Sequence, residues 1–380
     1  MKISILTPNV SQNCVGRAHM LAKVLQRHYE IEIVGPIGED GMWEPFVNDK
    51  SVPYKLLKVN GASRRFQHMR ELAIRIEGNV IYASKPILTS LGVGLLKKFV
   101  ASTPLILDID DWQLGFMKES NSNAPFFHRS QCWTSLSFWA CVMGEKLSRL
   151  ADDITVASRF LQKKFGGTIV CHARDTEAFD PDQFDEGILR EKYSIERRKR
   201  IVMFLGTPRS HKGIEDLIKA VDLVEDHDTL LVVVGIDDKD HYSKGLVGIA
   251  KKILNGRFRE YGVQPFEKVP EFLTIADVVV VPQKRNSSTI GQVPAKVFDA
   301  MAMAKPIIAT DVSDLPDILK GCGWIVEPDN PEQLAMTIQY VCEHQEEAAE
   351  MGRRARQKCI ESYSWNALEK ILVPIFKKYE

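Results

Sequence analysis

The sequence predicts an α/β protein built from two successive, doubly wound, Rossmann-like halves. Three observations carry that reading. Short β-type apolar runs alternate with helical stretches from end to end, as parallel α/β layers require. The series is interrupted by a polar, charged stretch at residues 180–200 and then restarts. The chain has 380 residues, enough for two domains that each bury a core.

In the first half, residues 3–7, 31–35, 80–83, 104–108, 154–157 and 168–171 read as strands, because each is a short apolar run rich in β-branched residues. Residues 18–28 and 88–100 read as helices between them. In the second half the strands are residues 201–205, 230–235, 278–281, 306–310 and 323–326, and the tail from 331 to 380 is helical in pattern. The predicted domains are 1–180 and 181–365. The basic run Arg197-Arg-Lys-Arg200 abuts acidic residues, so it reads as a solvated linker face rather than a nucleic-acid or membrane patch. Ligands of such sheets bind at the carboxyl ends of the strands, which places the expected site in a cleft between two facing lobes.

Lysine plus arginine, 50, equal aspartate plus glutamate, 50, which argues against a general nucleic-acid binder. The chain starts on a strand-like segment rather than a signal peptide, and no apolar run approaches membrane-spanning length. The seven cysteines lack metal-ligand spacing and read as reduced, mostly buried thiols of a cytoplasmic protein.

The most informative segment is Phe204-Leu-Gly-Thr-Pro-Arg-Ser-His-Lys-Gly213, a loop between a strand and a helix that carries two cations. A helix N-terminus with Arg209 and Lys212 beside it suits a diphosphate. Gly206, Pro208 and Gly213 fit close backbone approach. The bland reading is an exposed basic turn. A second segment, residues 286–299, supplies Ser287, Ser288 and Thr289, then Gly291, then Pro294 at a helix start, with Lys296 and Asp299 following. Ser288, Thr289 and the amides near Gly291 would line a phosphate and sugar pocket, and Asp299 would accept from ribose hydroxyls. Against this, Lys296 and Asp299 read equally as an exposed helix ion pair.

These residues carry a family resemblance. Gly206-Thr-Pro-Arg-Ser-His-Lys-Gly213, Val279-Val-Val-Pro282 and Phe298-Asp-Ala-Met-Ala-Met-Ala-Lys-Pro-Ile-Ile-Ala-Thr310 occur in the order seen in glycosyltransferase family 4, of the group 1 glycosyltransferases. Ala151-Asp-Asp-Ile-Thr-Val-Ala-Ser158, His172-Ala-Arg-Asp175 and Cys322-Gly-Trp-Ile-Val-Glu-Pro-Asp329 are similar to further segments of that family. The resemblance implies the twin-Rossmann GT-B fold, a retaining and metal-independent sugar transfer, and no cofactor. It implies that Arg209 and Lys212 hold the donor diphosphate, that Asp299 holds the ribose, and that tail helices from about residue 366 cross back onto the first domain. The departing phosphate takes the acceptor proton in the favoured picture for this class.

The chain departs from the family pattern in three places. The first of two glutamates is Gly291 here and the second is Asp299. Thr207 stands where an arginine usually follows the glycine. The stretch from Pro282 to Asp299 is longer than usual.

The first domain offers weaker signals. Gly16, with Asn13 and Arg17 beside it, stands in the expected loop after the first strand. In Leu107-Asp-Ile-Asp-Asp-Trp112, alternation places Asp108 and Asp110 on one face and Asp111 on the other. Three readings stand for these acids: orienting an acceptor or sugar hydroxyl, capping a turn, or a metal-binding Asp-x-Asp. The cationic diphosphate site already supplies the charge a metal would. His128 reads as an acceptor-side or a structural histidine, and the aromatic stretch 133–139 as core or as contact with a lipid-linked acceptor. Residues 91–99, with Lys97 and Lys98, are a candidate for resting on anionic lipid at the inner face of a membrane.

The function expected from all of this is transfer of a sugar from a nucleotide-diphosphate donor to a glycan or lipid-linked acceptor. The rivals are a non-catalytic bilobed nucleotide-sugar-binding protein and a nucleotide-sugar epimerase on the same scaffold. A nicotinamide-dependent dehydrogenase ranks lower, because no Gly-x-Gly-x-x-Gly follows the first strand.

Overall fold

The computed structural model describes residues 1–59, 65–122 and 136–380. They form two compact units: Met1–His172 with Ile290–Val293 and Asn366–Glu380, and Ala173–Thr289 with Pro294–Trp365. The polar stretch 180–200 thus lies inside the second unit rather than at its border. The chain joins that unit earlier because Arg174 is already built into it, forming a parallel bridge with Ser364 and donating its backbone N–H to Tyr363 O at 2.9 Å.

The first unit is organised on a parallel sheet of β1 (Lys2–Leu6), β2 (Glu30–Ile37), β3 (Tyr54–Lys58), β4 (Val80–Ser84), β5 (Leu105–Ile109), β6 (Asp153–Val156) and β7 (Thr168–Ile169). Its order is β3-β2-β1-β4-β5-β6-β7. The second sheet holds β8 (Arg200–Leu205), β9 (Thr229–Ile236), β10 (Phe258–Gly262), β11 (Val278–Val281), β12 (Ile307–Thr310) and β13 (Trp324–Val326), in the order β10-β9-β8-β11-β12-β13, again parallel. Central strands such as β1, β4, β8 and β11 are buried on both faces, so they read as continuous apolar runs. The two edge strands β3 and β10 escaped the sequence reading. Their sequences, Tyr-Lys-Leu-Leu-Lys and Phe-Arg-Glu-Tyr-Gly, are mostly half-buried and mix charge with apolar residues.

The direction of the strand order reverses between β1 and β4 in one sheet and between β8 and β11 in the other. Loops leaving two such neighbours diverge to opposite faces and leave a crevice at the strands' carboxyl ends. The candidate site residues cluster at these two places. The helix expected at 18–28 runs from Val15 to Leu25, which moves Gly16 from a loop into a first helical turn. The one expected at 88–100 opens with a π turn, Leu88–Gly92, before helix Val93–Ala101. The last helix, Trp365–Lys377, is tied into the first unit from Asn366 onward. Glu369 accepts from Arg27 at 3.0 Å and from His28 at 2.7 Å, and Phe376 packs on Tyr29 and Tyr82. Among the described residues no helix is long and apolar enough to cross a membrane.

Candidate active site

The second unit is taken first. β8 ends at Gly206, whose φ of +114° only glycine adopts readily. Gly235, at φ +109°, passes so close that a Cβ there would lie 2.8 Å from the Gly206 carbonyl carbon. The loop closes through the turn Ser210–Lys212 and reaches Gly213, at φ +65°, where a Cβ would lie 1.9 Å from Pro282 O. Pro282 directly follows β11, so this glycine lets the β8 loop lie against the end of β11. Gly213→Ala is expected to destabilise the protein by at least about 1–2 kcal/mol, the cost of a left-handed non-glycine residue, with the clash adding to it. An unchanged urea midpoint for that variant would contradict the packing described.

Helix Ile214–Leu223 begins at this point, but its own carboxylates occupy its first turn. Glu215 accepts from Tyr242 OH at 2.5 Å, and Asp216 pairs with Lys284 at 3.2 Å. These acids already complement the positive end of the helix, so an anion here depends on side-chain cations more than the sequence suggested. Arg209 is turned outward, half exposed, and pairs with Asp240 at 3.0 Å. Asp240 in turn caps helix His241–Leu254 by accepting from Ser243 N. An exposed pair of this kind contributes at most about 1 kcal/mol. Lys212 remains at the site, its ammonium donating to Thr207 O at 2.6 Å.

Lys296 is the cation that joins it. It is the second residue of helix Ala295–Ala302 and reaches over the Phe204 ring, with Nζ 3.5 Å from the ring centroid. That nitrogen also stands 3.3 Å from where a Cβ on Gly206 would be. Burial, with the charge of Lys212 adding to it, pushes Lys296 well below the ordinary lysine range, while Asp299 opposes the shift. The surface pair that was the alternative reading of Lys296 and Asp299 is not formed. Asp299 is buried and accepts instead from Nε of Arg174. Arg174 is held by donating to Ala173 O at 2.7 Å and Ala295 O at 3.3 Å, and it packs over Phe266.

Thr289 is buried and spends its hydroxyl inside its own turn, donating to Lys284 O at 2.5 Å, while Ser288 N donates to Asn286 Oδ1 at 3.0 Å. These residues shape the loop after β11; the structure shows Thr289 as a turn former. Gly291 belongs to the four-residue segment counted with the first unit. Its carbonyl accepts from Ser158 Oγ at 2.9 Å, and a Cβ on it would meet Phe160 at 3.0 Å and Trp112 at 3.3 Å. A Cβ at this position would be tight against these side chains, which would have to give by a few tenths of an ångström, and glycine supplies no carboxylate there.

In the first unit, Gly16 faces the rings of Trp43 and Phe46, at ordinary contact distance for a Cβ. Arg17 makes a buried bidentate pair with Asp108, Nε to Oδ2 at 2.6 Å and Nη2 to Oδ1 at 2.7 Å. Asp108 also accepts from Thr155 Oγ1 at 2.7 Å, so its acceptor capacity is spent structurally. The predicted facing of the three acids is corrected here. β5 ends at Ile109, alternation stops, and Asp110 and Asp111 both meet one ammonium, that of Lys85. Lys85 Nζ lies 2.7 Å from Asp110 Oδ1, and Gln292 Nε2 donates to Asp111 Oδ1 at 2.9 Å. Burial raises the Asp110 carboxyl above its ordinary value; Asp111 and Asp108 add to this, and Lys85 and Arg17 oppose it.

Lys85 follows β4 directly and sits at φ +69°, a left-handed conformation rare for a buried side chain. Ser84 Oγ and Arg17 Nη1 are buried there without a hydrogen-bond partner among the described residues. His128 and the stretch 123–135 lie outside the described residues. Among the described residues no three His, Cys, Asp or Glu side chains gather as for a metal ion. Lys97 donates to Ile76 O at 3.0 Å and Lys98 pairs with Asp152 at 2.6 Å, so neither projects toward a surface ligand. Phe99 and Val100 beside them are exposed.

Sequence reasoning missed Lys85, Arg174 and Gln292. Lys85 had a usable signal, a lysine following the strand at the point where strand order reverses. Arg174 stood inside a quoted segment, but its partner is 125 residues away.

Comparison with known proteins bears on the family and the fold. Residues 185–358 match the family model described as glycosyl transferases group 1. The chain is 26% identical over 194 residues to an uncharacterised glycosyltransferase of Methanocaldococcus jannaschii, covering 50% of this chain and 47% of that protein. It is 24% identical over 205 residues to an alpha-maltose-1-phosphate synthase of Mycolicibacterium smegmatis, covering 51% of each. The chain thus spans about half the length of the curated relatives it matches. The Anabaena HepE protein, solved in complex with UDP and glucose, superposes with a TM-score of 0.79 at 16% identity over 100% of both chains. Residues 185–358, within the second unit, resemble a group 1 glycosyl transferase domain, and the chain as a whole has the GT-B fold.

Proposed function

We propose that this chain transfers a sugar from a nucleotide-diphosphate donor to a glycan or lipid-linked acceptor, with retention of configuration and without a metal. The observation that carries the reading is the meeting of Lys212 and Lys296 at the carboxyl end of β8, where the neighbouring acids are engaged by other groups. Asp299 is held by Arg174, Asp216 by Lys284 and Asp240 by Arg209. Two like charges brought together this way are stabilised by an anion. As the bond from the anomeric carbon to the phosphate oxygen breaks, charge grows on the diphosphate and the lysines stabilise it. The acceptor oxygen bonds to the same carbon and its proton passes to the departing phosphate.

In this reading the second unit is the donor domain. Asp299 accepts from ribose hydroxyls, oriented by Arg174. Gly206, Ser288, Thr289 and the backbone near Gly291 shape the pocket, and Arg209 leaves its weak pair with Asp240 to reach the phosphates. The first unit takes the acceptor, with Asp110 and Asp111 held by Lys85 as candidate hydroxyl acceptors. Contact with a membrane surface, where it occurs, falls to exposed Phe99 and Val100 rather than to Lys97 and Lys98. The support is the group 1 domain, the GT-B fold and a structural neighbour whose complex contains UDP.

The absence of a carboxylate at Gly291 favours the rival reading of a nucleotide-sugar-binding protein without transfer. Thermal stabilisation against UDP, GDP, ADP, CMP and their sugars, with and without EDTA, tests the donor site. One nucleoside diphosphate is expected to stabilise the protein equally in both conditions. No shift with any of them would overturn the diphosphate reading. Release of free nucleotide on adding a saccharide acceptor separates transfer from binding alone.

A further inference from the structure

We propose that a cavity at the amino ends of β8 and β9 is a second small-molecule site, one that takes a protonated amino alcohol. It lies within the second unit and does not depend on the donor-site reading. Arg200 opens β8, Thr229 opens β9, and the two are register partners. Strand alternation puts them on the same face as Val202 and Leu231, which belong to the core shared with helices Ile214–Leu223 and Pro331–Glu343. One row below, that apolar core gives way to a cavity of about 390 Å3, walled by Asp226, Thr229, Gln339, Cys342 and Glu343 beside Arg200. The volume falls within the range of about 300–1,000 Å3 usual for small-molecule sites. The phosphate loop leaves the opposite end of β8, so the two sites are separate.

The hydrogen-bonding capacity left over in this cavity is mostly that of acceptors. Thr229 is fully buried, and its hydroxyl has no hydrogen-bond partner among the described residues. A hydroxyl shut off from both water and protein is costly unless a bound molecule meets it. Gln339 spends its amide N–H on Glu343 Oε1 at 2.9 Å, which leaves its own carbonyl oxygen and Glu343 Oε2 for an incoming donor. Asp226 accepts from Asp228 N at 2.8 Å through one carboxylate oxygen and keeps the other. Arg200 already has a partner. The cations just before it, Arg198 and Lys199, are drawn to Asp228 at 3.5 and 2.9 Å. Two carboxylates against one guanidinium leave the wall net negative.

Cys342 sits in the same field. Burial pushes its thiol up to about 12, Asp277, Asp226 and Glu343 add to the shift, and Arg200 opposes it. A phosphate or carboxylate entering here meets like charge. An ammonium supplies three donors to the oxygens of Gln339, Glu343 and Asp226 and neutralises the excess charge. A hydroxyl elsewhere on the same small molecule satisfies Thr229, which makes an amino alcohol, amino sugars included, the fitting class.

Calorimetric titration at neutral pH with ethanolamine and glucosamine, each against its uncharged counterpart, ethylene glycol and glucose, tests this. Each amine is expected to bind at least about tenfold more tightly than its counterpart, the margin of one charge-assisted hydrogen bond. Labelling with methyl methanethiosulfonate, read by peptide mapping, locates the ligand. Cys342 is expected to react more slowly with an amine present, and the other cysteines at an unchanged rate. Thr229→Val is expected to weaken amine binding roughly fivefold. Its melting temperature is expected to equal or exceed that of wild type, because the lost hydroxyl gives up no protein partner. Glu343→Gln keeps an acceptor for Gln339 and removes the charge, so the preference for amine over uncharged counterpart is expected to shrink. Failure of both amines to bind, equal binding of the uncharged counterparts, or affinities that both variants leave unchanged would overturn the inference. None of these outcomes bears on the donor site.

Discussion

Replacing Lys212 with alanine is expected to lower kcat by two to three orders of magnitude, about 3–4 kcal/mol of transition-state stabilisation. The estimate is that for removing one donor from a preorganised anion site. The reason for so large an effect is local. The N-terminus of helix Ile214–Leu223 already carries Glu215 and Asp216, and Arg209 is engaged by Asp240, so little else at this strand end neutralises a growing phosphate charge. One hydrogen bond that Lys212 gives is to a loop carbonyl, Thr207 O, and urea unfolding of the variant checks that the fold is kept. KM for the donor is expected to change less than kcat, since the charge is greatest in the transition state. Steady-state turnover with the matched donor measures both, and near-wild-type kcat would remove Lys212 from the mechanism. Arg209→Ala should cost less than Lys212→Ala, because Arg209 must first leave another partner.

Arg174→Ala is expected to produce the largest loss of stability among single changes at the site, about 3–5 kcal/mol. That is the usual cost of breaking a buried ion pair by removing one partner. Both side chains are enclosed, 8% exposed for Arg174 and 6% for Asp299, so the carboxylate left behind has no compensating charge and little water. Arg174 also ties its segment to Ala295 O at the start of the helix that bears Lys296 and Asp299. Asp299→Asn keeps a hydrogen-bond acceptor for Arg174 and should destabilise less, while weakening nucleotide binding through the ribose. Urea unfolding and a nucleotide titration on the same two variants separate the roles. Equal stability of Arg174→Ala and wild type would contradict the pairing. An unchanged dissociation constant for Asp299→Asn would leave the pair purely structural.

Much of this site was legible in the sequence where the information is local. Gly206 and Gly213 announce a tight strand-to-helix loop, and the structure gives both a positive φ and close backbone neighbours. The twin parallel sheets follow from short apolar runs separated by helices. What was not legible depends on partners far along the chain. The pairing of Arg209 with Asp240, 31 residues on, has no local signal. The rival reading of Lys296 and Asp299 as a surface pair came from their standing three positions apart on a helix. Tertiary packing instead sends one to Phe204 and the other to Arg174. Asp110 and Asp111 were assigned to opposite faces by strand alternation, which fails once the strand ends at Ile109 and the chain turns. Edge strands β3 and β10 were missed for a related reason, since half-buried edges tolerate charges that mask the pattern.

The central claim is a site on the second unit built for a diphosphate and independent of metal. It is tested most directly by comparing the dissociation constants of a nucleoside diphosphate and its monophosphate, for the base selected in the thermal panel, with EDTA present throughout. The account predicts that the diphosphate binds at least about tenfold more tightly, a difference of 1.4 kcal/mol or more, and that this preference collapses in Lys212→Ala. Equal affinity for the two nucleotides, or a preference that survives loss of Lys212, would contradict it.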